Sequence, residues 1–136
     1  MSRNITHIVV HSTATPEGRH VSLEEVTRWH LARGFRAIGY HYLIELDGVI
    51  RMGRPLSQAG AHVKGHNANT VGIAYVGGTD KQGKAKDTRT PQQKVTMSVL
   101  LRDLKNLYPA AEIVGHRDLG ATACPSFDAK NEFKNI

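Results

Sequence analysis

The sequence predicts an α/β fold: one domain over residues 1–136, with a central mixed β-sheet flanked by about three α-helices. Three observations carry the prediction. Apolar runs rich in β-branched residues occupy residues 5–11, 70–76 and 112–115 and read as strands. Two helix-start signatures, at Ser22 and Thr90, fall between those runs. An Asp47-Gly48 pair between two further apolar segments marks a hairpin. A chain of 136 residues with 40% hydrophobic content can bury one core.

Each element follows in order. Residues 12–20 are polar, contain Pro16 and Gly18, and are expected to form a loop. Ser22-Leu23-Glu24-Glu25 has the capping-box pattern: the Ser22 oxygen accepts from a free backbone N–H, and Glu25 reaches back. The helix it opens should bury Val26, Trp29 and Leu31 and end at Gly34. Residues 40–46 and 49–52 form the two arms of the hairpin. Residues 55–69 show neither periodicity and form a long loop, a feature often tied to function in compact domains. Gly77-Gly78 stops the strand over 70–76. Thr90-Pro91-Gln92-Gln93 combines an N-cap threonine, a proline at the first helical position and Gln93 three residues after the cap. Val95, Val99, Leu100, Leu104 and Leu107 then recur at helical spacing, until Tyr108-Pro109 ends the helix. Ser126 is expected to cap a last short helix reaching Phe133.

Composition narrows the function. The formal charge of +6 favours polyanions: nucleic acid, an anionic membrane or an acidic cell wall. Lys81, Lys84, Lys86 and Arg89 make one loose cluster, read as a solvated loop. There is no long basic helix and no aromatic–basic stacking motif, so specific nucleic-acid binding is not expected. No run approaches the ~18 apolar residues of a membrane span. No apolar region follows the N-terminal charge, so synthesis in the cytoplasm without a signal peptide is expected. A single cysteine excludes an internal disulfide framework.

That cysteine, Cys124, lies eight positions after His116 in a proline-containing segment. His116 follows the strand over 112–115, and His11 closes the first strand. Strand ends in one sheet converge readily. Two imidazoles and a thiolate form a donor set that leaves the fourth position of a zinc ion open, as catalytic zinc requires. Taken singly, each residue is ordinary. Most of the eight histidines are expected to be surface or hydrogen-bonded residues, and a buried inert thiol is the default for Cys124. The conjunction is what points to a metal.

Several stretches carry a wider likeness: Ile8-Val9-Val10-His11-Ser12-Thr13-Ala14-Thr15, Val26-Thr27-Arg28-Trp29-His30, Gly39-Tyr40-His41-Tyr42-Leu43-Ile44, Gly60-Ala61-His62-Val63-Lys64-Gly65-His66-Asn67, Val71-Gly72-Ile73-Ala74-Tyr75-Val76-Gly77-Gly78, and His116 through Asp128. In this order, over nearly the whole chain, the sequence resembles the type 2 zinc-dependent N-acetylmuramoyl-L-alanine amidases, which share their fold with peptidoglycan recognition proteins. The resemblance implies that His11, His116 and Cys124 are zinc ligands and that Tyr40 assists catalysis beside the metal. It implies a second catalytic role for Thr122, which stands where phage members carry a lysine and many recognition-protein amidases a threonine. Ser12 stands where phage members commonly carry a non-ligand cysteine. Non-catalytic recognition relatives commonly lack the cysteine ligand, so Cys124 favours an enzyme. His62 and Asn67, in the long loop with the family-like Gly-Ala-His segment, are expected to line the substrate. His41 should be structural and Trp29 a core residue. His7, His20 and His30 should be surface or satisfied polar residues, and Arg117 and Asp118 either support a ligand or form an exposed ion pair.

The family hydrolyses the amide between N-acetylmuramic acid and L-alanine in peptidoglycan or muropeptides. Zinc would polarise the carbonyl and lower the pKa of water toward ~7. The Tyr40 hydroxyl would donate to the oxyanion, and Thr122 would hold the same oxyanion without a lysine's charge. No glutamate base can be placed: Glu45 lies five positions after Tyr40 in the same predicted strand and should face the other side of the pleat. The alternative function is a non-catalytic peptidoglycan-binding module. A two-histidine phosphoesterase, suggested by His11-Ser12-Thr13, lacks its second His-x-Thr element. The expected setting is a phage or prophage-type endolysin, reaching the wall after release, or an enzyme of wall fragments in the cytoplasm. The chain is expected to be a monomer. A phage member of the family also restrains an RNA polymerase, and no residue here is assigned to such a contact.

Overall fold

The computed structural model describes residues 3–136. Along the chain run β1 (His7–Ser12), β2 (Thr15–Pro16), α1 (Leu23–Ala32), β3 (Tyr42–Ile44), β4 (Ile50–Met52), β5 (Thr70–Tyr75), β6 (Gly78–Thr79), α2 (Pro91–Leu107), β7 (Glu112–Gly115) and α3 (Ala129–Glu132). The main sheet has the order β4-β3-β5-β1-β7. β1 pairs in parallel with β5 and β7, β3 pairs in parallel with β5, and β4 returns antiparallel on β3. The mixed sheet and its helices agree with the predicted class. The segment expected to be all loop after β1 contains β2, which pairs in parallel with β6.

Period-two alternation divides the sheet into two faces. Ile8, Val10, Ile44, Val71, Ile73 and Tyr75 pack against Met97, Leu100, Leu101 and Leu104 of α2, together with Phe127, Ala129 and Phe133. Leu43, Ala74 and Val76 pack with Val21, Val26 and Ile38, while Val9 and Val114 pack with Val63 of the long loop. His11 is in phase with Val9, on the face away from α2. β1 and β7 pair Val9 with Val114 and Val10 with Gly115. The register ends there: His116 opens a 3-10 turn over His116–Asp118, which carries its ring to 4.6 Å from that of His11.

The helices depart from the sequence reading in which residues they bury. Ser22 caps α1 by accepting from the Glu25 N–H at 3.1 Å, but the Glu25 carboxylate pairs with Arg19 at 2.6 Å instead of reaching back. Trp29 is not core: it is 36% exposed, with the Arg19 guanidinium over its ring. Leu31 is also exposed, and α1 buries only the narrow stripe Val26 and His30. On α2 the exposed residues include Val95, Val99 and Leu107, while the buried set is Gln93, Met97, Leu100, Leu101 and Leu104. The true phase of α2 runs through a polar residue, which an apolar pattern misses.

Gln93 completes the capping box with Thr90 and does more. Its Oε1 accepts from the Thr90 N–H at 2.9 Å, and its Nε2 donates to Ile44 O at 3.2 Å and Val76 O at 3.0 Å, tying α2 to the ends of β3 and β5. Gln93→Ala takes the only side-chain partner from Val76 O and from the Thr90 N–H and opens a cavity, while Ile44 O keeps the Val76 N–H at 2.9 Å. The expected cost is about 2–4 kcal/mol, read by urea denaturation; a change within experimental error would contradict the tie.

Three smaller differences have clear causes. Asp128, not Ser126, caps α3, accepting from the Asn131 N–H at 3.2 Å, because the Ser126 hydroxyl donates to Gly78 O at 2.7 Å. Tyr40 precedes β3 rather than lying within it. Arg89 is not part of a solvated cluster: it is buried, pairs with Asp87 and Glu132, and stacks on Phe127 with its guanidinium carbon 3.5 Å from the ring centre.

Candidate active site

The ends of β1 and β7 deliver two histidines to one place, and a tight turn adds the cysteine. His11 and His116 have ring centres 4.6 Å apart. The turn carrying Cys124 is strapped down by main-chain bonds: Arg117 N–H donates to Cys124 O at 2.7 Å, and Ser126 N–H to Ala123 O at 2.8 Å. The Tyr75 hydroxyl, from β5, donates to Pro125 O at 2.7 Å. Ser12 N–H donates to Cys124 Sγ at 3.1 Å. His11 Nδ1 lies 3.8 Å from Cys124 Sγ, and the donor atoms of His11, His116 and Cys124 all fall within 4.8 Å of one another. The structure thus brings together the three residues that the sequence singled out.

Their environment sets their charge. Burial, then the neighbouring His62 and His116, hold the His11 pKa well below its ordinary value, and burial also lowers His116. Burial raises the Cys124 thiol, against the opposing pull of its hydrogen bonds from Ser12. Alone, the trio is neutral: two imidazoles ready to act as ligands and a thiol that a nearby dication would convert to thiolate. Nitrogen and sulfur donors in this number suit zinc, whose bonds of about 2.0–2.3 Å let one ion reach three donors so close together after small side-chain adjustments. The residues present fit the metal.

The trio lies in a cleft of about 650 Å³, whose wall also includes Tyr40, His62, Asn67 and Thr122. Such a volume suits a ligand of peptide or sugar size. The Tyr40 ring centre is 5.2 Å from that of His11. Burial, and then Cys124, raise the Tyr40 pKa, so its phenol keeps its proton and is a donor. Thr122 is exposed in the turn; its Oγ accepts from the Cys124 N–H at 3.2 Å, which leaves the hydroxyl proton for the cleft. Among the described residues, no carboxylate lines the cleft. Glu45 accepts from Arg51 at 3.2 Å on the hairpin. It is away from the cleft, although the shared-strand premise fails because β3 begins after Tyr40.

The long loop supplies part of the wall through Ala61, His62, Val63, Lys64 and Asn67. Asn67 Oδ1 accepts from the N–H groups of His62 and Val63, both at 2.9 Å. His62 Nδ1 meets His11 Nε2 at 2.8 Å, and its Nε2 meets Thr70 Oγ at 3.1 Å. His41 is structural: Nδ1 accepts from the Gly72 N–H at 3.0 Å, and Nε2 meets Gln58 O at 2.8 Å. Asp118 holds the end of β7 by accepting from the Gly115 N–H at 2.8 Å, while Arg117 lies 3.8 Å from Asp128 at the surface.

Sequence reasoning missed His30, Arg33, Phe35 and Lys64 on the cleft wall. His30 is buried and its Nδ1 accepts from the Gly39 N–H at 2.7 Å, next to Tyr40. Burial, aided by Arg33 and Arg54, lowers its pKa from 6.5 to about 4. The folded state therefore holds His30 neutral while the unfolded chain takes up a proton below pH 6.5. The stability that His30 contributes is present above that pH and is lost as pH falls toward 4. Urea melts at descending pH should show this loss, and His30→Gln should reduce its slope; an unchanged slope would contradict the assignment.

Comparison with known proteins agrees with this geometry. The sequence profile described as N-acetylmuramoyl-L-alanine amidase matches residues 1–127. The chain is 39% identical over 125 residues to the endolysin of Enterobacteria phage K11, covering 92% of this chain and 83% of that protein. It is 38% identical over 123 residues to the endolysin of Escherichia phage T7, covering 90% and 82%. The solved structure of the N-acetylmuramoyl-L-alanine amidase LysC from Clostridium intestinale URNW superimposes with a TM-score of 0.83 at 33% identity, covering 96% of this chain and 83% of that one. The chain belongs to the N-acetylmuramoyl-L-alanine amidase family and is an amidase of that kind.

Proposed function

We propose that this amidase depends on zinc held by His11, His116 and Cys124, and that it cleaves the bond between N-acetylmuramic acid and L-alanine in peptidoglycan as a phage or prophage-type endolysin. The observation that carries the reading is the convergence of those three donors within 4.8 Å of one another, on the wall of a cleft that also holds Tyr40. Its likeness to phage endolysins supports the setting: synthesis in the cytoplasm and action on the wall after release.

Bound zinc supplies Lewis-acid polarisation of the carbonyl and activation of water. The protein's own groups do the rest. Tyr40, kept protonated by burial, donates its hydroxyl hydrogen to the carbonyl oxygen as negative charge develops there. Thr122, also on the cleft wall, donates as a neutral hydroxyl. In the net reaction water adds to the carbonyl carbon, the C–N bond breaks, and the alanine nitrogen gains a proton. Asn67 borders the stem peptide with an amide nitrogen that donates to no described residue, and His62 completes the wall behind it. Arg33 and Lys64 give the cleft positive charge, and among the described residues no carboxylate lines it, which suits the carboxylates of a stem peptide.

The test is mass spectrometry of purified sacculi digested with chelator-treated protein, before and after one equivalent of zinc is restored. Stem peptides with a free L-alanine amine should appear only with zinc. Binding to sacculi without release of peptide would favour the recognition-module alternative.

A further inference from the structure

We propose that Thr70 and His62 are positioning residues that fix the tautomer and ring orientation of His11, presenting its Nδ1 lone pair to the metal. The inference rests on the metal reading above and on a chain of hydrogen bonds whose directions can be assigned from end to end.

The chain begins at a carbonyl, which can only accept. Thr70 Oγ lies 2.8 Å from His66 O and donates its single proton there. The same oxygen is 3.1 Å from His62 Nε2 and can now only accept, so Nε2 of His62 carries a hydrogen. In a neutral ring the other nitrogen is then bare. His62 Nδ1 is 2.8 Å from His11 Nε2 and must accept from it. His11 is thereby an Nε2–H tautomer with Nδ1 bare, and Nδ1 is the atom 3.8 Å from Cys124 Sγ. The opposite tautomer of His11 would set two bare nitrogens face to face at 2.8 Å, or, with His62 flipped as well, would draw the Thr70 proton to His62 Nε2 and leave the Thr70 and His66 oxygens 2.8 Å apart with no hydrogen between them.

The sequence builds a seat for this relay. Gly72 in β5 has no side chain, and a Cβ there would lie 2.6 Å from the His62 ring. A glycine inside a strand marks such a close approach. Asn67 holds the His62 and Val63 N–H groups at 2.9 Å. Thr70, 1% exposed, closes the relay on the backbone of the same loop. The loop over residues 55–69 is thus the scaffold of a metal ligand as well as a wall of the cleft. With both its nitrogens engaged inside the protein, His62 acts through His11 rather than by hydrogen-bonding substrate.

Two measurements test this, and the first needs neither zinc nor a variant. Long-range proton–nitrogen NMR of the histidine rings in metal-free protein should report Nε2–H for both His11 and His62; an Nδ1–H signature at His11 overturns the proposal. The second is zinc affinity by competition with a chromophoric chelator. Thr70→Val, which keeps the side-chain shape but removes the hydroxyl, should weaken binding about 10–100-fold, as outer partners of metal ligands do. Thr70→Ser should restore it. Unchanged affinity in a folded Thr70→Val protein overturns the proposal. If wild type shows the expected tautomers but binds no zinc, the metal reading fails and the hydrogen-bond chain stands.

Discussion

Replacing Cys124 with serine is expected to remove bound zinc and to lower turnover by about three orders of magnitude, near 4 kcal/mol of barrier. Cys124 is the soft donor of the trio and the one that becomes anionic on a metal. A serine hydroxyl is close in size but does not ionise under the same influence. The fold should survive, because bonds from Arg117, Ser126 and Tyr75 to main-chain oxygens hold the turn, and a serine oxygen can still accept from the Ser12 N–H that now meets the sulfur. The measurement is zinc content by elemental analysis beside turnover on purified sacculi, with a thermal melt as control. A serine variant that kept full zinc and activity would sink the ligand assignment.

Tyr40→Phe separates metal binding from chemistry. It removes one hydroxyl from a ring 5.2 Å from His11 and leaves the three donors untouched. Loss of a single oxyanion donor costs about 10²–10³ in kcat, and zinc content should not change. The effect should fall on kcat, with KM nearly constant, because the bond strengthens as charge develops. Thr122→Ala should cost less, since the hydroxyl is exposed and partly occupied by the Cys124 N–H. If Tyr40→Phe lost zinc in proportion to activity, the tyrosine would be supporting the metal rather than the transition state.

What the sequence disclosed followed from short-range physics. β-Branched runs marked the central strands, and capping residues located the starts of α1 and α2. His11 and His116 were visible as strand-end residues because β1 runs into the first and β7 ends one residue before the second. What it concealed depended on partners distant in the chain. The burial of Gln93 answers to carbonyls of Ile44 and Val76, so hydrophobic spacing alone caught Leu100 and Leu104 but set the exposed Val95, Val99 and Leu107 beside them. Trp29 read as core as an apolar position of α1, but the helix buries only Val26 and His30. Arg89 lay among solvated lysines in sequence while its partners Glu132 and Phe127 arrive from the end of the chain. The placement of His62 over Gly72 needed the fold, although a glycine inside a strand was a readable hint.

The most direct test of the zinc site is X-ray absorption at the zinc edge of the purified protein. The account predicts one zinc per chain with one sulfur at about 2.3 Å and the remaining nitrogen or oxygen donors at about 2.0–2.1 Å, the sulfur shell vanishing in Cys124→Ser. A wild-type spectrum without sulfur, or protein that takes up no zinc, would contradict it.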